Sequence, residues 1–426
     1  MGIPVLDRWR EGRPPLYAHQ AAGQFGHGLA DPFVPYYATR LGATTADLGW
    51  LQAFGNLFPN LLQAPWGWLS DRAGRRVPFI MLGTILSTSL FLLIAASASP
   101  WQLILVVLVQ ALAVSMVAPN WSALLGERIA FGKRGRFFGA VSQIGGIAGL
   151  SGTVLVAILV FRAPQTEAHP FQLPFLIAAF AGIASGLVLL LVRETKTAAD
   201  GGRPPAPWST EDTERRADFL YFVKMQAFYN FFMSMSWPLI PVTVAIVLGA
   251  SNLDIVMITI AGTVATVALQ TQVGRLVDRV GPVSLIQASR FLFILVPLAY
   301  GFANNLFIIY IISALMGLPS AIANVAFSAY VLDVAPPRKH AEYFGLFNGA
   351  LGLATFAGSL IGGYAARALQ AVWPLTAALM AVYLLSFAGR TAGAFLSLRL
   401  RDPAKYPESA DHVWRRFQHY LVNGRR

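Results

Sequence analysis

Four residues in the first apolar stretch of the sequence have side chains that could bind a proton or a polar solute. Gln20, Gln24, His27 and Asp31 are spaced four, three and four residues apart, which lines them along one helical face. An ionisable group in an apolar spanning helix costs at least about 2.5–3.5 kcal/mol, so it usually faces a cavity. A carboxylate beside an imidazole can change protonation as its exposure changes.

We therefore interpret Asp31 and His27 as candidates for coupling to a proton or cation gradient. Two other interpretations of Asp31 stay open. The carboxylate could form a structural ion pair or anchor a substrate, or it could lie near enough to the outer surface to be simply solvated.

Polar side chains in other apolar stretches are candidates for contact with a solute. Each could equally form an interhelical hydrogen bond worth about 0.6 kcal/mol on average. Besides Gln20 and Gln24, the candidates are Asn56, Asn60, Gln63, Gln143, Gln226, Asn230, Trp237, Asn324 and Asn348.

The elements that carry these residues follow from composition. Of the 426 residues, 56% are hydrophobic and only 12% are charged, about half the charged share of a soluble protein. A membrane-spanning helix needs about 20 mostly apolar residues, and such stretches fill most of the chain. The sequence predicts an all-α membrane protein with twelve transmembrane helices. They cover residues 17–40, 45–69, 77–98, 101–126, 137–161, 172–192, 219–248, 254–277, 283–303, 306–332, 342–367 and 373–397.

The distribution of Lys and Arg predicts the orientation of these spans. Most of the 32 basic residues fall in the termini and the even-numbered loops, whereas the odd-numbered loops hold Arg40, Arg162 and Arg367. Basic loops stay on the cytoplasmic side. We expect both termini to be cytoplasmic and the protein to lie in the inner (plasma) membrane.

A charged, Pro- and Gly-containing stretch at 194–218 predicts a linker near the middle of the chain. The predicted organisation is a cytoplasmic tail (1–16), a six-helix bundle (17–193), the cytoplasmic linker (194–218), a second six-helix bundle (219–398) and a basic cytoplasmic tail (399–426).

The two predicted bundles are related by an internal repeat. A shift of 206 residues places Gln20 on Gln226, Gln24 on Asn230 and Pro32 on Pro238, and a shift of 207 places Gln63 on Gln270. The same shifts pair Glu127 with Asp333, Gly146 with Gly352, Gly152 with Gly358, Gly67 with Gly274, Asp71 with Asp278, Arg72 with Arg279 and Gly74 with Gly281. So many matches in one order predict two pseudo-symmetric halves.

The loop between spans 2 and 3 carries a motif that is repeated in the second half. It reads Gly67-Trp-Leu-Ser-Asp71-Arg72-Ala-Gly74-Arg75-Arg76, and its copy begins at Gly274 and ends at Gly281. This pattern resembles the loop signature G-x-x-x-D-R-x-G-R-R of the major facilitator superfamily. In the copy, Pro282 stands where the family pattern prefers a basic residue.

The resemblance implies a cytoplasmic gate that closes in the outward-open state. Asp71 would face the amino terminus of span 11, and Arg72 or Arg75 would meet Glu127. In the second half the counterparts are Asp278, Arg279 and Asp333. The alternative interpretation is that Arg72, Arg75 and Arg76 only determine topology.

Other classes of protein find little support in the sequence. The chain has no cysteine, no metal-ligand cluster, no nucleophile elbow and no phosphate-binding loop, so we expect neither an enzyme nor a bound cofactor or metal. Its net charge of +12 comes from short basic clusters between apolar spans, which favours contact with the lipid bilayer over nucleic acid. Arg290, Arg390 and Lys224 are expected to snorkel towards the cytoplasmic interface, although the two arginines could instead bind an anionic group.

The leading functional hypothesis is a monomeric secondary transporter that moves a small molecule by alternating access, driven by protons and weakly favouring efflux. One alternative is uptake of a sugar or metabolite by symport or facilitated diffusion. An alternative from a different class is a non-transporting membrane receptor built on the same fold.

Overall fold

The computed structural model describes residues 14–127, 134–192, 210–335 and 340–401. Every one of the twelve predicted spans corresponds to helix in this part of the chain. In the first half the helices are Pro14–Ala30 and Val34–Arg40 (span 1), Thr45–Leu61 and Gln63–Ala73 (span 2), Val77–Ala96 (span 3), Pro100–Val114 and Val117–Glu127 (span 4), Arg134–Val160 (span 5) and Gln172–Val188 (span 6).

The second half has the same arrangement of long helices. They are Thr210–Met235 and Leu239–Val242 (span 7), Asn252–Val280 (span 8), Pro282–Phe293 and Leu295–Gly301 (span 9), Leu306–Leu315 and Gly317–Val334 (span 10), His340–Leu369 (span 11) and Leu375–Ser397 (span 12). Short turns of helix extend three spans: the 3-10 helices Asp31–Phe33 and Leu189–Leu191, and the π-helix Thr243–Val247.

Ten segments of the described chain are long and apolar enough to cross a membrane by length and composition. Spans 1 and 2 are not among them. Span 1 carries His27 and Asp31, and span 2 carries Asn56, Asn60 and Gln63, so their hydropathy is lower. The twelve-helix prediction therefore agrees with the architecture, but two of its spans are polar helices.

The helix of span 7 begins inside the stretch that the sequence predicts to be a linker. Span 7 begins at Thr210 and not at 219, so the last part of the stretch 194–218 is helical. The rest of the predicted linker lies outside the described residues.

Glycines at equivalent positions hold the first and seventh spans against their neighbours. A Cβ at Gly152 of span 5 would lie 2.4 Å from the Phe25 carbonyl oxygen of span 1. A Cβ at Gly358 of span 11 would lie 2.1 Å from the Phe231 carbonyl oxygen of span 7. Only glycine permits such close helix packing. Because both pairs differ by 206 residues, the repeat found in the sequence is also a repeat of contacts.

The helix caps that follow the first loop of each half are also repeated. Thr44 and Asp47 form a capping box at the start of span 2, and Ser251 and Asp254 form the matching box at the start of span 8. Each box satisfies two backbone N–H groups that the first turn of a helix leaves free.

The two halves meet along spans 2 and 11. A Cβ at Gly363 would lie 2.5 Å from the Thr45 carbonyl oxygen, and a Cβ at Gly352 would lie 2.9 Å from the Asn60 Cβ. The symmetry-related contact joins spans 5 and 8, where a Cβ at Gly146 would lie 3.2 Å from the Val267 side chain. The boundary between the halves is therefore a close helix-to-helix contact.

Candidate functional site

The coupling candidates lie at the break in span 1. Span 1 changes from α-helix to a 3-10 turn at Asp31, where Pro32 removes a backbone donor. The His27 Nδ1 and the Asp31 Oδ2 are 2.9 Å apart, and their side chains are 30% and 55% exposed. The two side chains therefore lie within hydrogen-bond distance of each other, close to the point where the helix changes type.

The polar stripe of span 1 begins next to the boundary between the halves. Gln20 and Gln24 pack against Gly145 of span 5, whose added Cβ would lie 2.6 Å from the Gln20 Nε2. The following residue, Gly146, contacts Val267 of the second half. The stripe is therefore close to the surface on which the two halves would have to move.

The amides of span 2 mostly bond to their own helix. The Asn56 Nδ2 donates to the Gln52 carbonyl, the Asn60 Nδ2 to the Asn56 carbonyl and the Gln63 Nε2 to the Pro59 carbonyl. The Gln63 Oε1 also accepts a hydrogen bond of 2.9 Å from the Asn348 Nδ2 of span 11. Gln63 and Asn348 thus form a polar link between the halves.

The polar residues of span 7 face the interior of the second half. Gln226 is fully buried, and the Asn230 Nδ2 donates to its carbonyl oxygen at 2.8 Å. Trp237 lines a partly open cavity between spans 7, 9, 10 and 12. Gln143 and Asn324 are exposed on spans 5 and 10.

Two arginines differ from the prediction that their side chains snorkel towards the cytoplasmic interface. Arg290 and Arg390 are each only 1% exposed, so neither side chain snorkels towards an interface, whereas Lys224 is exposed. The Arg290 guanidinium donates to the Gln226 Oε1 and lies 4.2 Å from the centre of the Tyr229 ring. The sequence alone does not reveal that neighbouring helices supply acceptors and aromatic faces to these arginines.

A cluster of hydrogen bonds joins the halves at one end of the bundle; we call it the latch. It consists of Arg40 at the end of span 1, Gln165 after span 5, and the segment 245–253, in which span 7 ends and span 8 begins. The Arg40 Nη2 donates to the Ala250 carbonyl at 2.6 Å, and its Nε donates to the Asn252 Oδ1 at 3.4 Å.

Asn252 is the centre of the latch. Its side chain is fully buried, and its Nδ2 donates to the Glu167 carbonyl at 2.9 Å and to the Pro164 carbonyl at 3.2 Å. The Asn252 backbone N–H donates to the Gln165 carbonyl at 2.7 Å. The side-chain amide and the backbone N–H of Asn252 therefore both bind the first half.

The opposite end of the bundle carries the repeated loop motif. Gly74 ends span 2 in the left-handed region at φ +63°, and Gly281 ends span 8 at φ +91°. Asp71 pairs with Arg76 of its own loop, and the Arg76 Nη1 also donates to the Ser70 Oγ at 2.6 Å. The Arg72 guanidinium lies 5.6 Å from the centre of the Trp68 ring.

The expected gate contacts differ from this arrangement. Asp71 was expected to face span 11, but its ion pair is with Arg76. An added Cβ at Gly67 or at Gly274 would meet open space among the described atoms. In this conformation the described ion pair of Asp71 lies within its own loop.

Some members of the predicted gate cannot be compared with the structure. The side chains of Glu127 and Asp278 lie outside the described residues. Arg75, Arg279 and Asp333 are exposed at the motif end. The pairing of Arg72 or Arg75 with Glu127 therefore stays a prediction.

The latch was missed in the sequence. Arg40 was counted only as one of three basic residues in the odd-numbered loops, and Gln165 and Asn252 were not singled out. A loop amide gives no periodic signal, and its partners here are backbone carbonyls far away in sequence. The one available sign was that Arg40 is a cation on the side where the predicted loops hold few Lys or Arg residues.

Comparison with known proteins decides the family. The sequence profile of the Major Facilitator Superfamily matches residues 20–233 and again 222–424. The chain belongs to the major facilitator superfamily. It is also 29% identical over 155 residues to an uncharacterized MFS-type transporter of Methanocaldococcus jannaschii, a match that spans 36% of this chain and 38% of that relative.

Solved structures of transporters share the fold. A mutant of the nucleoside transporter NupG superposes with a TM-score of 0.73 at 12% identity, covering 92% of this chain and 100% of that one. A bacterial homolog of the human lysosomal transporter Spinster, in an inward-facing and unoccupied conformation, gives 0.70 at 15% identity over 96% and 100%. An auto-inhibited POT family peptide transporter gives 0.70 at 11% identity over 93% and 98%.

These findings identify the protein as a multi-pass membrane transporter of the superfamily type. They point away from an enzyme. The structural neighbours carry chemically different solutes by their names, so the fold they share does not specify a substrate.

Proposed function

We propose that the protein is a secondary active transporter that carries a small molecule by alternating access between its two halves. The observation that carries this proposal is the difference between the described contacts at the two ends of the bundle. At the latch end, buried Asn252 and Arg40 join the halves. At the motif end, Asp71 is bound within its own loop. Such a structure corresponds to the state that is closed at the latch end.

The orientation follows from the charge distribution. If the basic even-numbered loops are cytoplasmic, the motif end faces the cytoplasm of the inner membrane and both termini lie there. The latch is then the outer gate, and the structure is the inward-facing state. Release of the latch would let Asp71 meet span 11 of the second half and close the cytoplasmic side.

Asp31 and His27 are proposed to couple transport to protons. Their side chains are partly exposed and 2.9 Å apart, at the point where span 1 changes from α-helix to a 3-10 turn. A carboxylate there can be solvated in one state and desolvated in the other, which changes its affinity for a proton. Binding of the proton in one state and its release in the other would drive a solute against its gradient.

The substrate is proposed to be a small molecule bound between the halves near the polar stripe of Gln20 and Gln24, and transport to run in the export direction. Few charges and many aromatic residues lie along the central spans, which suits a solute that is neutral or partly apolar. One protein molecule contains both halves, so a monomer is sufficient for the cycle.

The experiment that tests this function measures solute-driven proton movement. Purified protein is reconstituted in liposomes that contain a pH-sensitive dye, and solutes that stabilise the protein thermally are added one at a time. We chose nucleosides, short peptides and sugars as the panel. A coupled transporter acidifies or alkalinises the lumen only when its solute is present.

Two results would contradict the proposal. Solute movement without any proton movement would leave facilitated diffusion as the mechanism. Binding of a solute without its movement would favour the receptor hypothesis.

A further inference from the structure

The second half contains two buried cations whose described partners are all neutral. Arg390 of span 12 donates through Nε to the Ser386 Oγ at 3.1 Å, and through Nη1 to the Phe293 carbonyl at 2.9 Å. Its Nη2 donates to the Met233 carbonyl at 3.0 Å and to the Ser236 Oγ. A guanidinium has five N–H donors, so these four bonds leave one Nη1 hydrogen without an acceptor in the described chain.

Arg290 adds a second charge close to the first. Its partners are the amide of Gln226 and the faces of Tyr229 and Phe327, and its Nε has no hydrogen-bond partner among the described residues. Arg290 contacts Tyr229 and Arg390 contacts Met233, one helical turn apart on span 7, so the two positive charges repel one another. A buried cation is normally paired with an anion, because burial without one costs several kcal/mol. An arginine cannot relieve that cost by losing its proton.

A cavity of about 190 Å³ opens beside Arg390. Apart from Arg390 its wall is almost entirely apolar or aromatic, and spans 7, 9 and 10 each contribute one helical face to it. Examples are Met233 and Trp237 of span 7, Phe293 of span 9 and Met316 of span 10. The volume is below the about 300–1,000 Å³ of sites for drug-sized ligands. A cavity of this kind offers one charged contact and an apolar compartment.

We propose that this cavity binds a small monocarboxylate with an apolar or aromatic body. The carboxylate binds the remaining Nη1 donor of Arg390 in a charge-assisted hydrogen bond and neutralises part of the excess positive charge. The body of the ligand packs against Trp237, Phe293 and Met316. The site lies within the second half and not between the halves, so it goes beyond the transport mechanism proposed above.

The test uses benzoate as the probe and benzamide, its uncharged counterpart, as the control ligand. Binding to the full-length protein in a neutral detergent is measured by titration calorimetry. We expect benzoate to bind at least about tenfold more tightly than benzamide, because only benzoate is an anion.

Two tryptophan variants locate the site. Met316→Trp fills the cavity without changing Arg390, and Leu315→Trp adds the same bulk at a neighbouring side chain that is 58% exposed. We expect Met316→Trp to weaken benzoate binding at least about tenfold and Leu315→Trp to leave it unchanged. Arg390→Lys keeps the charge but loses the planar fork, and should weaken binding as well.

Equal binding of benzoate and benzamide would overturn the proposal, as would unchanged benzoate binding in Met316→Trp. A cavity that binds added phosphatidylglycerol but not benzoate would also overturn it, because the anion would then be a lipid. None of these measurements uses transport, so failure here is separate from failure of the proposed function.

Discussion

The two halves share a scaffold but use their polar residues differently. In the first half, Asp31 and His27 form a partly exposed pair on span 1. In the second half, Trp237 and Met233 stand near the corresponding positions, and the charges are the buried Arg290 and Arg390. The shared glycine contacts and capping boxes preserve the packing, while side chains on the same frame have diverged. The two halves therefore share their helix packing, whereas the polar and charged side chains on that packing differ between them.

Among the variants that test this difference between the halves, Asp31→Asn should have the largest effect on transport. The amide cannot exchange a proton, so we expect transport to lose its dependence on an imposed pH gradient entirely. The measurement is solute flux in proteoliposomes with and without the gradient. The matched control is Trp237→Phe, at the position related to Asp31 by the shift of 206, which should keep the gradient dependence. Unchanged gradient dependence in Asp31→Asn would remove Asp31 from coupling.

The glycine contacts predict that a Gly→Ala substitution destabilises the two halves by similar amounts. Gly152→Ala and Gly358→Ala each add a methyl group against a backbone carbonyl of the partner helix, at 2.4 and 2.1 Å. We expect each to lower the free energy of unfolding by about 1–3 kcal/mol. Denaturant unfolding in detergent measures the change.

The control for the glycine variants is Gly67→Ala. Gly67 is helical, and an added Cβ there meets open space in the described structure, so alanine should raise stability by up to about 1 kcal/mol. If Gly67 also packs closely in the opposite state, this variant will lose transport while gaining stability. A large loss in only one of Gly152→Ala and Gly358→Ala would show that the halves are not mechanically equivalent.

The smallest expected effect concerns the polar link between spans 2 and 11. Asn348→Ala removes the 2.9 Å hydrogen bond to the Gln63 Oε1. We expect a change of about 0.6 kcal/mol, the average for interhelical side-chain bonds in membranes. A double-mutant cycle with Gln63→Ala measures the coupling energy. A coupling of zero would mean that the bond does not help to hold the halves together.

Much of the fold could be predicted because its signals are local or repetitive. Apolar runs about 20 residues long predict the spans, and the matched glycines of the repeat, such as Gly152 and Gly358, predict the two halves. The start of span 7 at Thr210 was missed because charged residues in the first turns of a helix resemble those of a linker.

The candidate site was harder to predict because its contacts are distant in sequence. The spacing of His27 and Asp31 predicts their pairing, since residues four apart meet on a helix. No spacing indicates that Asn252 binds the carbonyls of Pro164 and Glu167, or that Arg390 binds carbonyls on two other helices. Backbone acceptors carry no residue-specific signal, so these contacts emerge only from the packing of the helices.

The central claim, that the two ends of the bundle open in alternation, can be tested by measuring distances across both ends. The chain has no cysteine, so spin labels can be attached to pairs of introduced cysteines. One pair, Ala73→Cys with Val280→Cys, spans the motif end. The other, Thr166→Cys with Asn304→Cys, spans the latch end. Pulsed electron–electron double resonance is recorded in lipid nanodiscs with and without Asn252→Ala, which breaks the latch. The control variant is Asn305→Ala, which removes an exposed helix cap.

The account predicts that Asn252→Ala lengthens the distance at the latch end and shortens the distance at the motif end, while Asn305→Ala changes neither. Both distances lengthening together, or the motif-end distance staying constant while the latch opens, would contradict it.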